Sequence, residues 1–431
     1  MQHSVGTARA VRGTIAVSPT KSISHRAAIL NGIAEGEALV EEFQRGADCM
    51  ATLRCLRLLG VTWSWLNDSS LLVKGTGRHG LREPAAVLDC RNSGTTMRLL
   101  AGLLAAQPFF SVLSGDESLR SRPMDRVVEP LRQMSADVSG REGDRLAPLA
   151  ISGHALRGIH YRMPVASAQV KSALLLAGLY AEGETVVVEP GPTRDHTERM
   201  LQAMGADIDF GEGAVIRVRP LARELTALSV RVPGDISSAA PWLVLGAAHP
   251  DAEIRLAGVG VNPTRTGILD CLSLMGADVR LDAEGFSGPE PVADIIVRSS
   301  RLCGAEIAGD LVPRAIDELP LVALAGCFAD GETVIRDANE LRVKESNRIQ
   351  TTVDGLRAMG ANVEETDDGL RVWGPQILRG AMVSSQGDHR LAMMLGVAGA
   401  LAEGETVVRV AESVAVSYPG FWHDLDELCG A

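Results

Sequence analysis

A turn made of Ala, an acidic residue, Gly and Glu recurs at Ala34, Ala181, Ala329 and Ala402, each copy leading into a strand-like run such as Thr185 to Val188. One copy carries no information. Four define a structural unit, and they exclude architectures without internal repetition. A second signature alternates with the first: Leu59-Gly60, Met134-Ser135, Met204-Gly205, Met275-Gly276 and Met359-Gly360 lie about 70 to 85 residues apart and read as helix C-termini closed by Gly or Ser. About six units of this kind fill the chain.

A third element completes the unit. Strongly apolar helices are expected to begin after Lys21, Asn92, Ser167, Asp235, Asp317 and Asp388. Segments such as Ala173 to Tyr180, Leu319 to Phe328 and Leu391 to Leu401 are apolar around most of their circumference, so they are expected to be buried on nearly every side. Only their first turns are polar. A helix N-terminus carries unpaired N–H groups and about half a positive charge, so several polar N-termini brought together form an anion site. Capping by Ser, Asn or Asp explains any one of these starts. Six starts enriched in Lys, Arg, Asn and Gln point to a ligand as well.

Composition sets the limits. With 431 residues, 46% apolar and 22% charged, the chain has material for a packed core and divides by default into two domains. A net charge of −12 with 3% aromatic residues disfavours a nucleic-acid surface, so any anion site must be a local cluster of Lys and Arg. Cys49, Cys55, Cys90, Cys271, Cys303, Cys327 and Cys429 show no CxxC pair and no His at ligand spacing, and are expected to be buried free thiols, with no metal. Met1 to Gly13 has no leader-like apolar core, and no apolar stretch approaches bilayer length; the expected location is the cytoplasm, away from any membrane.

Four segments carry chemistry. In Thr20-Lys21-Ser22-Ile23-Ser24-His25-Arg26, Ser22 is expected to cap a helix, with Arg26 one turn along and Lys21 a candidate for anion binding and proton transfer. In Asn92-Ser93-Gly94-Thr95-Thr96-Met97-Arg98, Gly94 lets a ligand approach the backbone closely, and Arg120, Arg122 and Arg126 follow as planar forks for carboxylate or phosphate. Ser167-Ala168-Gln169-Val170-Lys171 and Arg194-Asp195-His196-Thr197-Glu198 offer neutral and cationic donors, with His196 read as a surface residue. The densest segment combines Asp317-Glu318, Arg342 to Arg348, and Asp388-His389-Arg390; Lys344 and Arg348 are expected on one helix face, beside Glu345. Two carboxylates among several cations can separate one base from one acid.

Taken in order, Lys21-Ser22-Ile23-Ser24-His25-Arg26, Asn92-Ser93-Gly94-Thr95-Thr96-Met97-Arg98, Arg122-Pro123-Met124, Ser167-Ala168-Gln169, Arg342-Val343-Lys344-Glu345-Ser346-Asn347-Arg348 and Asp388-His389-Arg390 resemble the 3-phosphoshikimate 1-carboxyvinyltransferases, the EPSP synthases, over essentially the whole chain. The resemblance implies an α/β fold: a two-domain inside-out α/β barrel, each domain three repeats of a βαβαββ-type unit. It implies domains at 17–232 and at 1–16 plus 233–431, with the active site in the cleft between them. It implies transfer of the enolpyruvyl group of phosphoenolpyruvate to the 5-hydroxyl of shikimate 3-phosphate, without cofactor or metal, by a monomer. Lys21, Ser22, Arg26, Ser167, Ala168, Gln169, Arg194, Asp317 and Lys344 look like contacts to shikimate 3-phosphate. Lys21, Asn92, Gly94, Arg122, Gln169, Arg348 and Arg390 look like contacts to phosphoenolpyruvate. Asp317 resembles the base, with Glu345 and Lys21 the proton-transfer candidates at the methylene carbon.

The chain departs from the common pattern at Ser18-Pro19-Thr20, at Arg91 where Gly is usual, at Glu340 where Asn is frequent, and at Val416 where many members carry Lys. Ser167 to Lys171, Arg194 to Glu198 and Asn262-Pro263-Thr264-Arg265 are similar to a second class of the family in which inhibition by glyphosate is often weak. The alternatives are a UDP-N-acetylglucosamine enolpyruvyl transferase, whose usual loop Cys has no counterpart here, and a non-catalytic anion-binding relative, against which Asp317 and Glu345 argue.

Overall fold

The computed structural model describes residues 1–211 and 213–430. Two compact units are resolved. Pro19–Val232 with Ser287–Glu290 forms the N-terminal unit; Met1–Ser18, Pro233–Phe286 and the chain from Pro291 onward form the C-terminal unit. Among the described residues each holds three sheets.

The sheets follow one plan. In the N-terminal unit, Leu88–Asp89 runs parallel to Phe110–Ser114, which pairs antiparallel with Leu146–Ser152, whose hairpin partner is Asp137–Gly140. His160–Arg162, Thr185–Val188, Val215–Val218 and Ile208–Asp209 repeat it in the same unit, as do Glu306–Ile307, Gly331–Ile335, Leu370–Gly374 and Val363–Glu365 in the C-terminal unit. The parallel strands are exchanged where the chain passes between units. Val11–Ile15 pairs with Ala252–Gly260, and Val230–Arg231 with Glu37–Glu41. The sixth sheet is completed by the start of the chain, because Gln2–Val5 lies antiparallel to Thr406–Arg409, itself parallel to Met382–Ser384.

Local chemistry accounts for the repetition. The turn glycines Gly36, Gly183, Gly331 and Gly404 all have positive φ, between 86° and 104°, a region closed to most side chains. Gly60, Gly205, Gly276 and Gly360 close their helices in the same left-handed region; Ser135, at φ 72°, does so against its preference.

The six apolar helices are Lys21–Gly32, Gly94–Ala105, Ala168–Gly178, Ile236–Ala248, Leu319–Gly326 and His389–Leu401. Ser93, Ser167, Asp235 and Asp388 cap four of them, accepting from the backbone N–H of Thr96, Val170, Ser237 and Arg390. Ser22 does not cap the first: it is the second helical residue, and the N-cap position belongs to Thr20. Beyond the first turn these helices are buried nearly all round, and each fully buried Leu or Val there is worth roughly 1.5–3 kcal/mol. Trp242 lies wholly inside the C-terminal unit, against Tyr418 and Phe421. Five cysteines are buried, but Cys303 is exposed and Cys429 is half-buried, so the uniform burial expected for the thiols does not hold.

Candidate active site

In the N-terminal unit the first turns of three helices carry the expected residues. Lys21 opens its helix with Nζ 3.0 Å from Asp48 Oδ2, a carboxylate supplied by the first turn of the helix Ala47–Leu58. The positive potential expected around Lys21 is thus met by a nearby acid. Arg26, one turn on, is 3% exposed: Nε donates to Thr197 Oγ1 at 2.6 Å, Nη2 to Ser172 Oγ at 2.8 Å and Nη1 to the Ser22 carbonyl at 3.0 Å. All three acceptors are neutral. Burial, assisted by Arg194, pulls this guanidinium down to about 10, against the opposing pull of the Glu198, Glu290 and Asp195 carboxylates.

The second cluster surrounds Gly94, the first residue of its helix. Arg122 Nη2 donates to Asn92 Oδ1 at 2.6 Å, and Asn92 Nδ2 donates to Asp116. Arg98 Nη1 donates to Gln169 Oε1 at 2.6 Å, while Gln169 Nε2 donates to Thr95 Oγ1 at 2.9 Å. A Cβ on residue 94 would stand 2.6 Å from Arg98 Nη1 and 3.7 Å from Arg122 Nη1, so glycine keeps the space between two guanidiniums open. Ser167 Oγ accepts from Val170 N as a cap, and the Ala168 carbonyl accepts from Ser172 Oγ. Arg194 is half-buried at the mouth of the segment.

Two expected donors face inward. Lys171 is buried against Glu198 at 2.6 Å and Glu189 at 3.1 Å, so its charge is consumed within the fold. His196 is buried, not at the surface, with Nδ1 2.7 Å from Glu290 Oε1. Neither partnership was visible locally, because Glu189 and Glu290 lie far along the chain.

The C-terminal unit brings its acids onto one cation. Arg348 is buried and reaches three carboxylates: Nη1 to Asp317 Oδ1 at 2.9 Å, Nη2 to Glu345 Oε2 at 2.7 Å, and Nε to Asp388 Oδ2 at 2.7 Å. Burial alone would lower its proton affinity, but Asp388, Glu345 and Asp317 together raise it. Lys344 does not share the Arg348 helix. It ends a short 3-10 helix, Asn339–Val343, while Asn347 caps the helix Arg348–Ala358 by accepting from Gln350 N. Arg390 is 9% exposed, and its buried Nη1 has no hydrogen-bond partner, a costly state that an anion would relieve. Arg91 adopts φ 54° where the family pattern has Gly. Val416 lies in the 3-10 helix Ala411–Val416 and offers no cation. Among the described residues, no three or more His, Cys, Asp and Glu side chains group as a metal site, and no helix is long and apolar enough to cross a membrane.

The family profile for EPSP synthase (3-phosphoshikimate 1-carboxyvinyltransferase) matches residues 5–425. The chain belongs to the EPSP synthase family. It is 53% identical over 423 residues to the 3-phosphoshikimate 1-carboxyvinyltransferase of Pelotomaculum thermopropionicum, covering 98% of this chain and 97% of that one. The Chloroflexus aurantiacus protein of the same name is 54% identical over 417 residues, with 96% of each chain covered. Among solved structures, EPSP synthase from Acinetobacter baumannii superposes with a TM-score of 0.90 at 44% identity, covering 99% of this chain and 97% of that one. An enolpyruvyl transferase from Streptomyces tendae shares the fold at 19% identity, with a TM-score of 0.78 and coverage of 99% and 96%. The mixed α/β fold is therefore that of the EPSP synthases.

Sequence reasoning missed Asp48, the carboxylate on Lys21, and the roles of Arg98 and Asp388. Arg98 had a signal, since it lies four residues after Gly94 and faces the same end of the helix. Asp48 had none beyond its place in a helix first turn.

Proposed function

We propose that the protein transfers the enolpyruvyl group of phosphoenolpyruvate to the 5-hydroxyl of shikimate 3-phosphate and releases phosphate. The observation that carries this reading is the pair of carboxylates, Asp317 and Glu345, that share the buried guanidinium of Arg348. A pure anion binder gains nothing from acids at that position.

In this reading Asp317 takes the proton of the 5-hydroxyl as its oxygen attacks C2 of phosphoenolpyruvate. Glu345 or Lys21 delivers a proton to the methylene carbon. The tetrahedral intermediate then returns a proton from its methyl group to Glu345 or Lys21 as the C2–O bond to phosphate breaks, which leaves the enol ether product and inorganic phosphate. Lys21, Asn92, Arg122, Gln169, Arg348, Arg390 and the open space at Gly94 serve phosphoenolpyruvate, with Asn92 and Gln169 also accepting from Arg122 and Arg98. Lys21, Ser22, Arg26, Ser167, Ala168, Gln169, Arg194 and Lys344 serve shikimate 3-phosphate. Fixed cations stabilise developing charge without reorganising, which suits this chemistry. The same reading assigns a cytoplasmic monomer with weak glyphosate inhibition; Gly94 is retained, so crowding by Ala at that position is not the cause.

Phosphate release on mixing with phosphoenolpyruvate and shikimate 3-phosphate tests it. Release with UDP-N-acetylglucosamine as acceptor and none with shikimate 3-phosphate would overturn the assignment. Glyphosate added to the same assay is expected to inhibit no more tightly than phosphoenolpyruvate binds.

A further inference from the structure

Asp317 touches two guanidiniums with different anchorage. Oδ1 lies 2.9 Å from Arg348 Nη1, and Oδ2 lies 3.8 Å from Arg265 Nη1. Arg348 is shared among three carboxylates and, in the transferase reading, turns to the incoming anion. Arg265 is built in. It is 4% exposed, and its Nη2 is held by Asp235 Oδ1 at 3.2 Å and by Ser237 Oγ at 2.5 Å.

Those anchors are themselves fixed. Asp235 caps the helix Ile236–Ala248 by accepting from Ser237 N at 2.9 Å. Ser237 Oγ donates to Glu318, the neighbour of Asp317 in sequence. The backbone that presents Arg265 is closed by its own N–H to the Asn262 carbonyl at 2.8 Å, and Asn262 Oδ1 accepts from Thr264 N at 2.9 Å. One edge of the guanidinium is therefore pinned, and the other faces Asp317. Burial works against the cation, but the carboxylates of Glu318, Asp235 and Asp317 outweigh it and keep it charged.

We propose that Arg265 is a positioning residue for Asp317, the resident cation that keeps this carboxylate oriented and ionised while Arg348 engages a bound anion. The inference rests on the transferase reading of Asp317. Without Arg265, an arriving phosphate group and the Asp235 and Glu318 carboxylates would all favour protonation of Asp317, and a protonated base accepts no proton.

The test is a double-mutant cycle in the full-length protein with phosphate release as the readout. Arg265→Met is expected to lower kcat roughly 10- to 100-fold with both KM values changed less than about threefold, the pattern of an interaction acting on the chemical step. In an Asp317→Asn background the same substitution is expected to change kcat less than about threefold, because the group it serves is gone. Equal losses in both backgrounds, or a loss confined to KM, would overturn the inference. Guanidinium at sub-denaturing concentration is expected to restore part of the kcat of Arg265→Met and none of the double variant; no restoration counts against a positioning role. Should Arg265→Met fail to fold, Ser237→Ala removes one anchor instead, with a kcat loss of about three- to tenfold that also vanishes in Asp317→Asn. Failure of the transferase reading is seen separately, as wild-type protein that releases no phosphate. The coupling is then read from unfolding of the same four proteins by urea, where additive effects overturn it.

Discussion

Arg26, Arg98 and Arg122 of the N-terminal unit keep different company from Arg348 and Arg265 of the C-terminal unit; Lys21 and Lys171, which meet Asp48, Glu189 and Glu198, stand outside the contrast. Arg26 donates to two hydroxyls and a carbonyl, Arg98 to an amide and a carbonyl, and Arg122 to an amide and a hydroxyl. Arg348 and Arg265 instead meet Asp235, Asp317, Glu345 and Asp388. Cations satisfied by neutral dipoles keep their field and attract anions. Cations that meet carboxylates spend part of their field on them and, in the proposed reaction, hold the acids through which protons move. The first arrangement is suited to binding and the second to chemistry.

The sharpest way to break this contrast is to remove the proposed base. Asp317→Ala is expected to lower kcat by about 10²–10⁴-fold while both substrates still bind, as measured by phosphate release and by equilibrium titration. Near-normal turnover would remove the chemical role from the C-terminal cluster.

Stability offers the next test. Arg348→Met takes the cation away from the buried carboxylate of Asp388 and from the less buried Asp317 and Glu345 and is expected to cost about 3–5 kcal/mol in urea unfolding, whereas Arg26→Met strands only hydroxyls and a carbonyl and is expected to cost about 1–3 kcal/mol. Equal costs would mean that the two sets of partners are electrostatically alike.

The smallest effect concerns His25, in the N-terminal unit. Its Nδ1 is 2.7 Å from Thr52 Oγ1, Thr52 continues to Thr96, and burial lowers the imidazole to about 3, with Lys21 and Arg26 adding to the shift and Asp48 opposing it. The folded form thus takes up a proton less readily than the unfolded chain. Its contribution is complete above the unfolded value of 6.5 and is lost as pH falls towards 3. Between pH 7 and pH 5 the loss is about 2 kcal/mol, and His25→Gln is expected to flatten that slope. An unchanged slope would place the sensitivity elsewhere.

The repeat was legible because it rests on backbone chemistry that a few residues dictate. Gly36, Gly183, Gly331 and Gly404 mark left-handed turns, and their spacing announces the units. The helix starts were legible from capping residues, except at Lys21, where Ser22 offers a cap that the chain does not use, and at Leu319, where Glu318 holds the N-cap position without a side-chain cap. Regular spacing also misled at Lys344 and Arg348, since an i,i+4 interval says nothing about where a helix begins, and Asn347 starts it after Lys344. What stayed hidden was pairing across the fold. Lys21 with Asp48, His196 with Glu290, and Arg265 with Asp235 and Asp317 join residues that no local pattern connects. The cationic half of the candidate site could therefore be named residue by residue, while the partners that set its electrostatics could not.

The antiparallel pairing of Gln2–Val5 with Thr406–Arg409 also governs how the molecule is made. On a ribosome adding about 5–20 residues per second, the segment Pro19–Val232 can complete its sheets while the rest is still being synthesised. The first strand has no such option. It must remain unpaired until residues near the far end of the chain emerge, roughly 10–40 s after Val232 at those rates. Its brevity, and the exposed polar Gln2 among its four residues, keep that waiting edge from recruiting another nascent chain.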